Sequence, residues 1–258
     1  MNTAGNLVAL HTIVRREIVR IMRIWTQTLI PPAITMTLYF VIFGKLIGSR
    51  IGTIEGGFTY MQYIVPGLVM MSIITNSYGN ISSSFFGAKF SRAVEEMLVS
   101  PMPNWVILLG YVTGAVTRGV IVGALVLVIA LFFTHLHVVH PLITVASVIL
   151  GATIFSLAGF VNAVYAKKFD DIALVPTFVL TPLTYLGGVF YSVSMLGEPW
   201  RTISMVNPIL YMVNAFRFGV LGVSDVQIGV AFAVMLAFVI GLTVVALQLL
   251  KRGVGLRS

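Results

Sequence analysis

The sequence predicts an all-α polytopic membrane protein, one transmembrane domain over residues 1–258 with six spans. Three observations carry this. Apolar residues make up 58% of the 258-residue chain and charged residues 9%, against the roughly 45–50% apolar content of soluble domains. Several apolar runs reach the ~20 residues that carry a helix across a ~30 Å hydrocarbon core. These runs lack the short alternating segments and turn signals of an outer-membrane barrel.

The chain opens with a basic segment, residues 5–25. In "VRREIVRIMRIW", a turn of ~100° per residue groups Val14, Ile18, Ile21 and Trp25 on one face and sets Arg16, Arg20 and Arg23 opposite. The pattern predicts an entry helix lying along the inner leaflet, Trp25 at headgroup level and the arginines toward anionic lipid or a partner. A plain basic flank of the first span is the alternative. No small-residue cleavage site follows a short apolar stretch, so no removable signal peptide is expected.

Spans are then placed at about 26–48, 60–86, 105–133, 142–165, 174–191 and 227–250, with one long connection at 192–226. If both termini are cytoplasmic, that side receives Arg15, Arg16, Arg20, Arg23, Lys89, Arg92, Lys167, Lys168, Lys251, Arg252 and Arg257. The outer side receives Lys45, Arg50, Arg201 and Arg217. The positive-inside rule favours that orientation. It also explains the net charge of +8, which in a soluble chain would suggest nucleic acid.

Polar residues inside the spans narrow the function. All eight acids fall outside the assigned spans, which disfavours a proton- or sodium-coupled carrier, since such carriers place ionisable groups near the midplane. Neutral polarity comes in stripes instead. Ser72, Asn76, Asn80 and Ser84 recur every four residues on the second span, after an expected bend at Pro66. Thr177, Thr181, Thr184 and Tyr185 do the same on the fifth. Two readings stand: helix-to-helix glue, or the lining of a pathway. The third span carries two G-x-x-x-G spacings, Gly110/Gly114 and Gly119/Gly123, explained equally by packing within one subunit and by dimerisation. Its central Arg118 has no acid in the spans to pair with and must find carbonyls, amides or water. It either faces a cavity near anionic groups of a substrate or lipid, or is structural. His135, His137 and His140 lie at a span end without a nearby carboxylate or cysteine, so no metal site is assigned. There is no cysteine, no P-loop, no H-E-x-x-H and no nucleophile elbow; any energy source must lie on another chain.

One charged island remains, "KFSRAVEEMLVSPMP" at residues 89–103. On a helical wheel Phe90, Val94, Met97 and Leu98 cluster, while Arg92, Glu95 and Glu96 point away. Such a helix could lie on lipid, but two adjacent glutamates suit an anionic surface poorly; a groove on a cytoplasmic partner fits better.

The six spans, basic entry helix, "SRAVEEMLVSPMP" loop and "GGVFYSVSMLGEPWRTISMVNPILYMVNAFRFGVLG" connection together resemble the membrane subunit of a type-2 ATP-binding-cassette transporter. "RIWTQTLIPPAITMTLYFVIFG", "IVPGLVMM", "SSFFGAKF" and "FDDIALVPTFVLTPLTYLGGVFY" bring it near a group of bacterial inner-membrane transport permeases. The resemblance implies that residues 89–100 are a coupling helix inserted into a cytoplasmic ATPase subunit, and that two permeases pair with two ATPases. It implies outer re-entrant helices at 192–226, with Asn207, Pro208, Tyr211 and Arg217 matching the family's N-P-x-x-Y and following Arg. "LGEPW" departs from the Leu-Pro-x-Trp-like element of many relatives. The expected function is a homodimeric permease of an ATP-driven exporter in the bacterial inner membrane. It would carry no hydrolytic residues or cofactor of its own, ATP and Mg belonging to the partner ATPase. A stand-alone channel or secondary carrier is the alternative, and no residue here selects a cargo.

Overall fold

A computed structural model of the chain describes residues 3–54 and 57–255; Arg257 lies outside them. Helix α1 (Thr3–Arg23) ends at Ile24. Helix α2 (Trp25–Tyr39) runs on through a π-helical stretch, Phe40–Ile47, into α3 (Gly48–Ile51). Helix α4 (Tyr60–Phe90) is followed after two residues by the short α5 (Ala93–Val99), then α6 (Asn104–Leu131) and α7 (Pro141–Tyr165). Helix α8 (Phe169–Val175) continues through π-helical Pro176–Leu180 into α9 (Thr181–Leu186). Beyond it lie α10 (Trp200–Val206), α11 (Pro208–Leu221) and α12 (Ile228–Arg252).

Local chemistry sets these boundaries. Thr59 and Gln62 form a capping box at the start of α4: the Gln62 N–H donates to Thr59 Oγ1 (3.3 Å) and the Thr59 N–H to Gln62 Oε1 (3.0 Å). Pro141 and Pro208 occupy first turns, where their missing N–H costs nothing. The fifth span begins earlier than the expected 174. The Asp171 carboxylate accepts the backbone N–H groups of Lys167 (2.8 Å) and Lys168 (3.0 Å) and so starts a helix at Phe169. The same helix stops at Leu186 rather than 191, because Gly187 and the left-handed Gly188 (φ 70°) turn the chain back.

Five helical stretches among the described residues are long and apolar enough to cross a membrane: Trp25–Gly44, Asn104–Leu131, Pro141–Tyr165, Phe169–Leu186 and Ile228–Arg252. Helix α4 is longer than any of them but more polar, and it is the hub, packed on α6, α7 and α11. Its Tyr60–Tyr78 part joins one apolar core with the second half of α6 and with α11. Its Ile81–Phe86 part joins a second core with Ile13, Val94, the first half of α6 and the end of α7. Buried Ser77, Asn80 and Ser82 sit where the two cores meet.

The glycine pairs of α6 are seats for two different helices of the same chain. A Cβ at Gly110 would lie 2.5 Å from Ile13 Cγ2, and one at Gly114 2.5 Å from Glu17 Cβ, so α1 rests on this pair. Gly123 would meet Ile73 Cγ1 at 2.5 Å and Gly119 the Ile73 carbonyl at 3.2 Å, so α4 rests on the other. Close backbone approach within one subunit therefore accounts for both spacings. Gly119→Val is expected to cost roughly 1–3 kcal/mol through overpacking. Gly241→Ala, with nothing within 4 Å of the new Cβ, is expected to be neutral or slightly stabilising; thermal unfolding of both variants in detergent checks the contrast.

Candidate functional site

Helix α1 turns a different face inward from the one its apolar pattern suggested. Ile13, Glu17 and Ile21, at four-residue spacing, are buried on α6, whereas Ile18 and Trp25 are exposed and Val14 is half-buried. Only Ile21 of the expected face is fully covered. The reason is Glu17, 1% exposed above Gly114. Its Oε2 accepts from Ser84 Oγ (2.7 Å) and Arg20 Nη2 (3.0 Å), and Arg16 Nη2 lies 3.6 Å from Oε1. Arg20 Nη2 also donates to Asn80 Oδ1 (2.8 Å), and Arg118 Nη1 reaches that same oxygen at 3.5 Å. Arg16 also donates to the Tyr111 hydroxyl and stacks over its ring. Arg23 is exposed.

Arg118 thus finds an amide oxygen, one of the partners left open for it, and Asn80 and Ser84 are joined to the entry helix rather than lining open space. Ser72 is buried and bonded to the Leu68 carbonyl, and half-buried Asn76 donates to the Ser72 carbonyl. The exposed stripe of α4 is therefore Thr75, Gly79 and Ser83, one position off the expected register. On the fifth span Thr177, Thr181 and Tyr185 are exposed, Tyr185 stacking on Phe190 at 5.7 Å. Thr184 turns inward and donates to the Leu180 carbonyl.

The charged island is not one helix over 89–100. Lys89 and Phe90 end α4, and Arg92, in the left-handed conformation (φ 62°), breaks the chain before α5 begins at Ala93. The wheel that grouped Phe90 with Val94, Met97 and Leu98 consequently fails. Val94 is buried in the chain's own core and Met97 and Leu98 pack against it. Phe90 is 68% and Val99 88% exposed, beside exposed Arg92 and Glu96, while Glu95 is half-buried. Phe90 makes an aromatic group with Phe86 and Phe169, whose ring centroids lie 6.3 and 5.3 Å away. Lys89 Nζ donates to the carbonyls of Val164 (2.6 Å) and Ala166 (2.7 Å), closing the end of α7.

At the opposite end a second buried network forms around Arg217, which is fully buried. Its guanidinium lies 4.0 Å from the Tyr63 ring centroid, and Nη2 donates to the Gly188 carbonyl (2.6 Å). Asp225 Oδ2 stands 4.0 Å from Nη1 and accepts the Val193 N–H (3.1 Å), while Oδ1 accepts from Ser192 Oγ (2.6 Å). The Asp225 N–H donates to Asn214 Oδ1 (2.8 Å). Asn207 caps α11, accepting the Ile209 N–H at 3.0 Å and donating to the Leu183 carbonyl. Pro208 fills the first turn, and the Tyr211 hydroxyl donates to the Met205 carbonyl at 2.8 Å. The N-P-x-x-Y and Arg positions are thus the fastenings of α9, α10 and α11.

Sequence reasoning did not single out Glu17, Asp225, Tyr63 or Tyr111. Glu17 had a signal, as the lone acid of a helix whose Ile13 and Ile21 stand one turn away on either side.

A multi-pass helical membrane protein whose amphipathic first helix is locked to its hub by a buried carboxylate is the class these features define. The family described as ABC-2 type transporter matches residues 8–221, from α1 to the end of α11. The chain belongs to that family. It is 57% identical over 251 residues to the "Inner membrane transport permease YadH" of Escherichia coli (strain K12), covering 97% of this chain and 98% of that protein. It is also similar to "Nodulation protein J" of Rhizobium leguminosarum bv. viciae, 21% identical over 216 residues and 83% of each chain. The biovar trifolii protein of that name is 25% identical over 186 residues, 72% of this chain and 71% of its own.

Removing the buried acid should expose its role. Glu17→Ala leaves Arg20 without its carboxylate and is expected to cost about 3 kcal/mol, lowering the apparent Tm by roughly 5–10 °C. Glu17→Gln, which can still accept from Ser84, should lose less. The double variant Glu17→Ala/Arg20→Ala should be clearly less destabilised than the two single effects added, and thermal unfolding of the wild type, both Glu17 variants, Arg20→Ala and the double variant checks this.

Proposed function

We propose that the chain is the membrane permease subunit of an ATP-driven exporter of the bacterial inner membrane, working as a homodimer with two copies of a separate cytoplasmic ATPase. The observation that carries this reading is the family match from α1 to α11, joined to near full-length similarity to a protein named an inner membrane transport permease. In this reading α4 also crosses the membrane, as the second of six spans, both termini are cytoplasmic, and α10 and α11 re-enter the outer leaflet. The chain holds no cofactor; ATP and Mg are bound by the ATPase.

The residues divide the work. Phe90, Arg92, Glu96 and Val99 present the surface for the ATPase, Glu95 flanks it, and Val94, Met97 and Leu98 seat α5 on its own bundle. Motion of the ATPase passes through Val94 to the Phe86 end of α4, and through Glu17 and Arg20 into α1. Exposed Thr75, Gly79 and Ser83 on α4, with Thr177 in the π-helical stretch before α9 and Thr181 and Tyr185 on α9, line the pathway between two copies. The inward Ser72, Asn80 and Thr184 hold the helices that carry it, and Arg16, Arg23 and Trp25 set α1 at the lipid surface.

Two measurements test the reading. Val99→Asp and Phe90→Asp should each weaken co-purification of the ATPase about tenfold or more, by placing an unpaired charge in the interface, at unchanged membrane level. Wild-type association of both variants would remove α5 from the coupling role. Because the chain has no cysteine, single cysteines report orientation. A membrane-impermeant thiol reagent on intact cells should label Thr53→Cys and Arg201→Cys and leave Ser91→Cys and Lys167→Cys unlabelled. Labelling of either of the last two overturns the orientation and, with it, the ATPase assignment.

A further inference from the structure

We propose that Arg20, Arg118 and Asn80 form a binding site for an anionic phosphate group, at the junction of the entry helix with α4 and α6. The local balance of charge and hydrogen-bonding groups carries the inference. Glu17, the carboxylate at this junction, is already taken up by Arg20, Arg16 and Ser84, while Arg118 comes beside Arg20 at Asn80 with no carboxylate among its partners in the described residues. Arg118 and Arg20 share one neutral acceptor, Asn80 Oδ1, and at 3.5 Å Arg118 holds it weakly beside a like charge.

Donors there exceed acceptors. Asn80 is fully buried, and its Nδ2 has no acceptor; the buried Nε atoms of Arg20 and Arg118 have none either. Buried donors without acceptors are costly, and buried like charges without a counter-charge more so. The missing component is an anion with several acceptor oxygens, and a phosphate, which two planar guanidinium forks can grip together, has that chemistry.

The cluster is also approachable. Asn80 adjoins Gly79 on the exposed stripe of α4, and a Cβ at Gly79 would meet nothing within 4 Å. The Arg20 side chain keeps 30% of its surface open. A phosphate at this level has two sources, the headgroup of an anionic phospholipid and a phosphate carried by soluble ligand or cargo. The inference takes from the proposed function only the inner-leaflet placement of α1. It is tested on the permease without its ATPase, so failure of one leaves the other standing.

The experiment titrates the purified full-length chain in a neutral detergent with dioctanoyl phosphatidylglycerol, inorganic phosphate, or dioctanoylglycerol, which has the same chains without phosphate, and follows the thermal unfolding midpoint. A saturable rise is expected for the wild type with a phosphate-bearing probe. Arg118→Gln should weaken the apparent affinity about tenfold or more, the loss of a charge-assisted hydrogen bond. Arg118→Lys, keeping charge without the fork, should fall between. Gly79→Leu, whose Cβ would meet nothing within 4 Å, narrows the approach while keeping Arg20, Asn80 and Arg118 and should also weaken binding, which keeps the test decisive if Arg118→Gln does not fold. A response to phosphatidylglycerol alone assigns a lipid headgroup, and a response to inorganic phosphate assigns a free or cargo-borne one. The site is overturned if no phosphate probe moves the wild-type midpoint, if dioctanoylglycerol moves it equally, or if the folded variants bind as the wild type does.

Discussion

A single carboxylate, that of Glu17, decides how the first helix meets the bundle. Taking a charged acid out of water costs several kcal/mol unless partners surround it, and here Ser84, Arg20 and Arg16 do so. Since Ser84 belongs to α4 and the seat under Glu17 is Gly114 of α6, satisfying the acid fixes α1 against both helices at once. Ile13 on Gly110 completes the register. An amphipathic helix that would otherwise only float on the membrane is thereby part of the domain.

The other end of the domain reaches a similar solution with different parts. Asp225, in the loop before α12, gathers Ser192, the Val193 N–H and Arg217, so that the turn after α9 and the whole of α11 are held by one acid. Gly67 of α4 lies directly under that turn, where a Cβ would stand 2.8 Å from Val189 Cα. In both networks the acid sits outside the long apolar helices and reaches the charge from their edge. That arrangement keeps the acids out of the long apolar helices while still setting a carboxylate beside an arginine in each network.

The helices were legible in the sequence because length and hydropathy dominate there: α6, α7 and α12 fall within about two residues of expectation, and the family shown is the one the motifs resembled. What was not legible depends on long-range pairing. The wheel for α1 set apolar residues against arginines and left Glu17 out, so it could not anticipate that an acid would define the buried face. The wheel for 89–100 assumed unbroken helix through Arg92, a residue with no local signal for left-handed backbone. The fifth span was drawn late because "KKFDD" reads as a polar linker, although its Asp171, in the first turn, accepts the backbone N–H groups of Lys167 and Lys168 that lead into the helix. The stripe on α4 was found, but its division into inward Asn80 and outward Gly79 and Ser83 follows from where Arg20 arrives, sixty residues earlier in the chain.

Lys89 has a consequence for the order of events in biogenesis. Its ammonium is bound to two carbonyls at the end of α7, as the guanidinium of Arg20 is bound to Glu17 and Asn80. The charge bias that orients spans acts on a chain still passing through the insertion machinery, before α7 exists to receive Lys89. Under that rule the same cations serve twice in succession, first as free charges on the emerging chain, later as struts hydrogen-bonded into the folded domain. A residue exchanged for its value in the finished domain also changes the instructions read during synthesis.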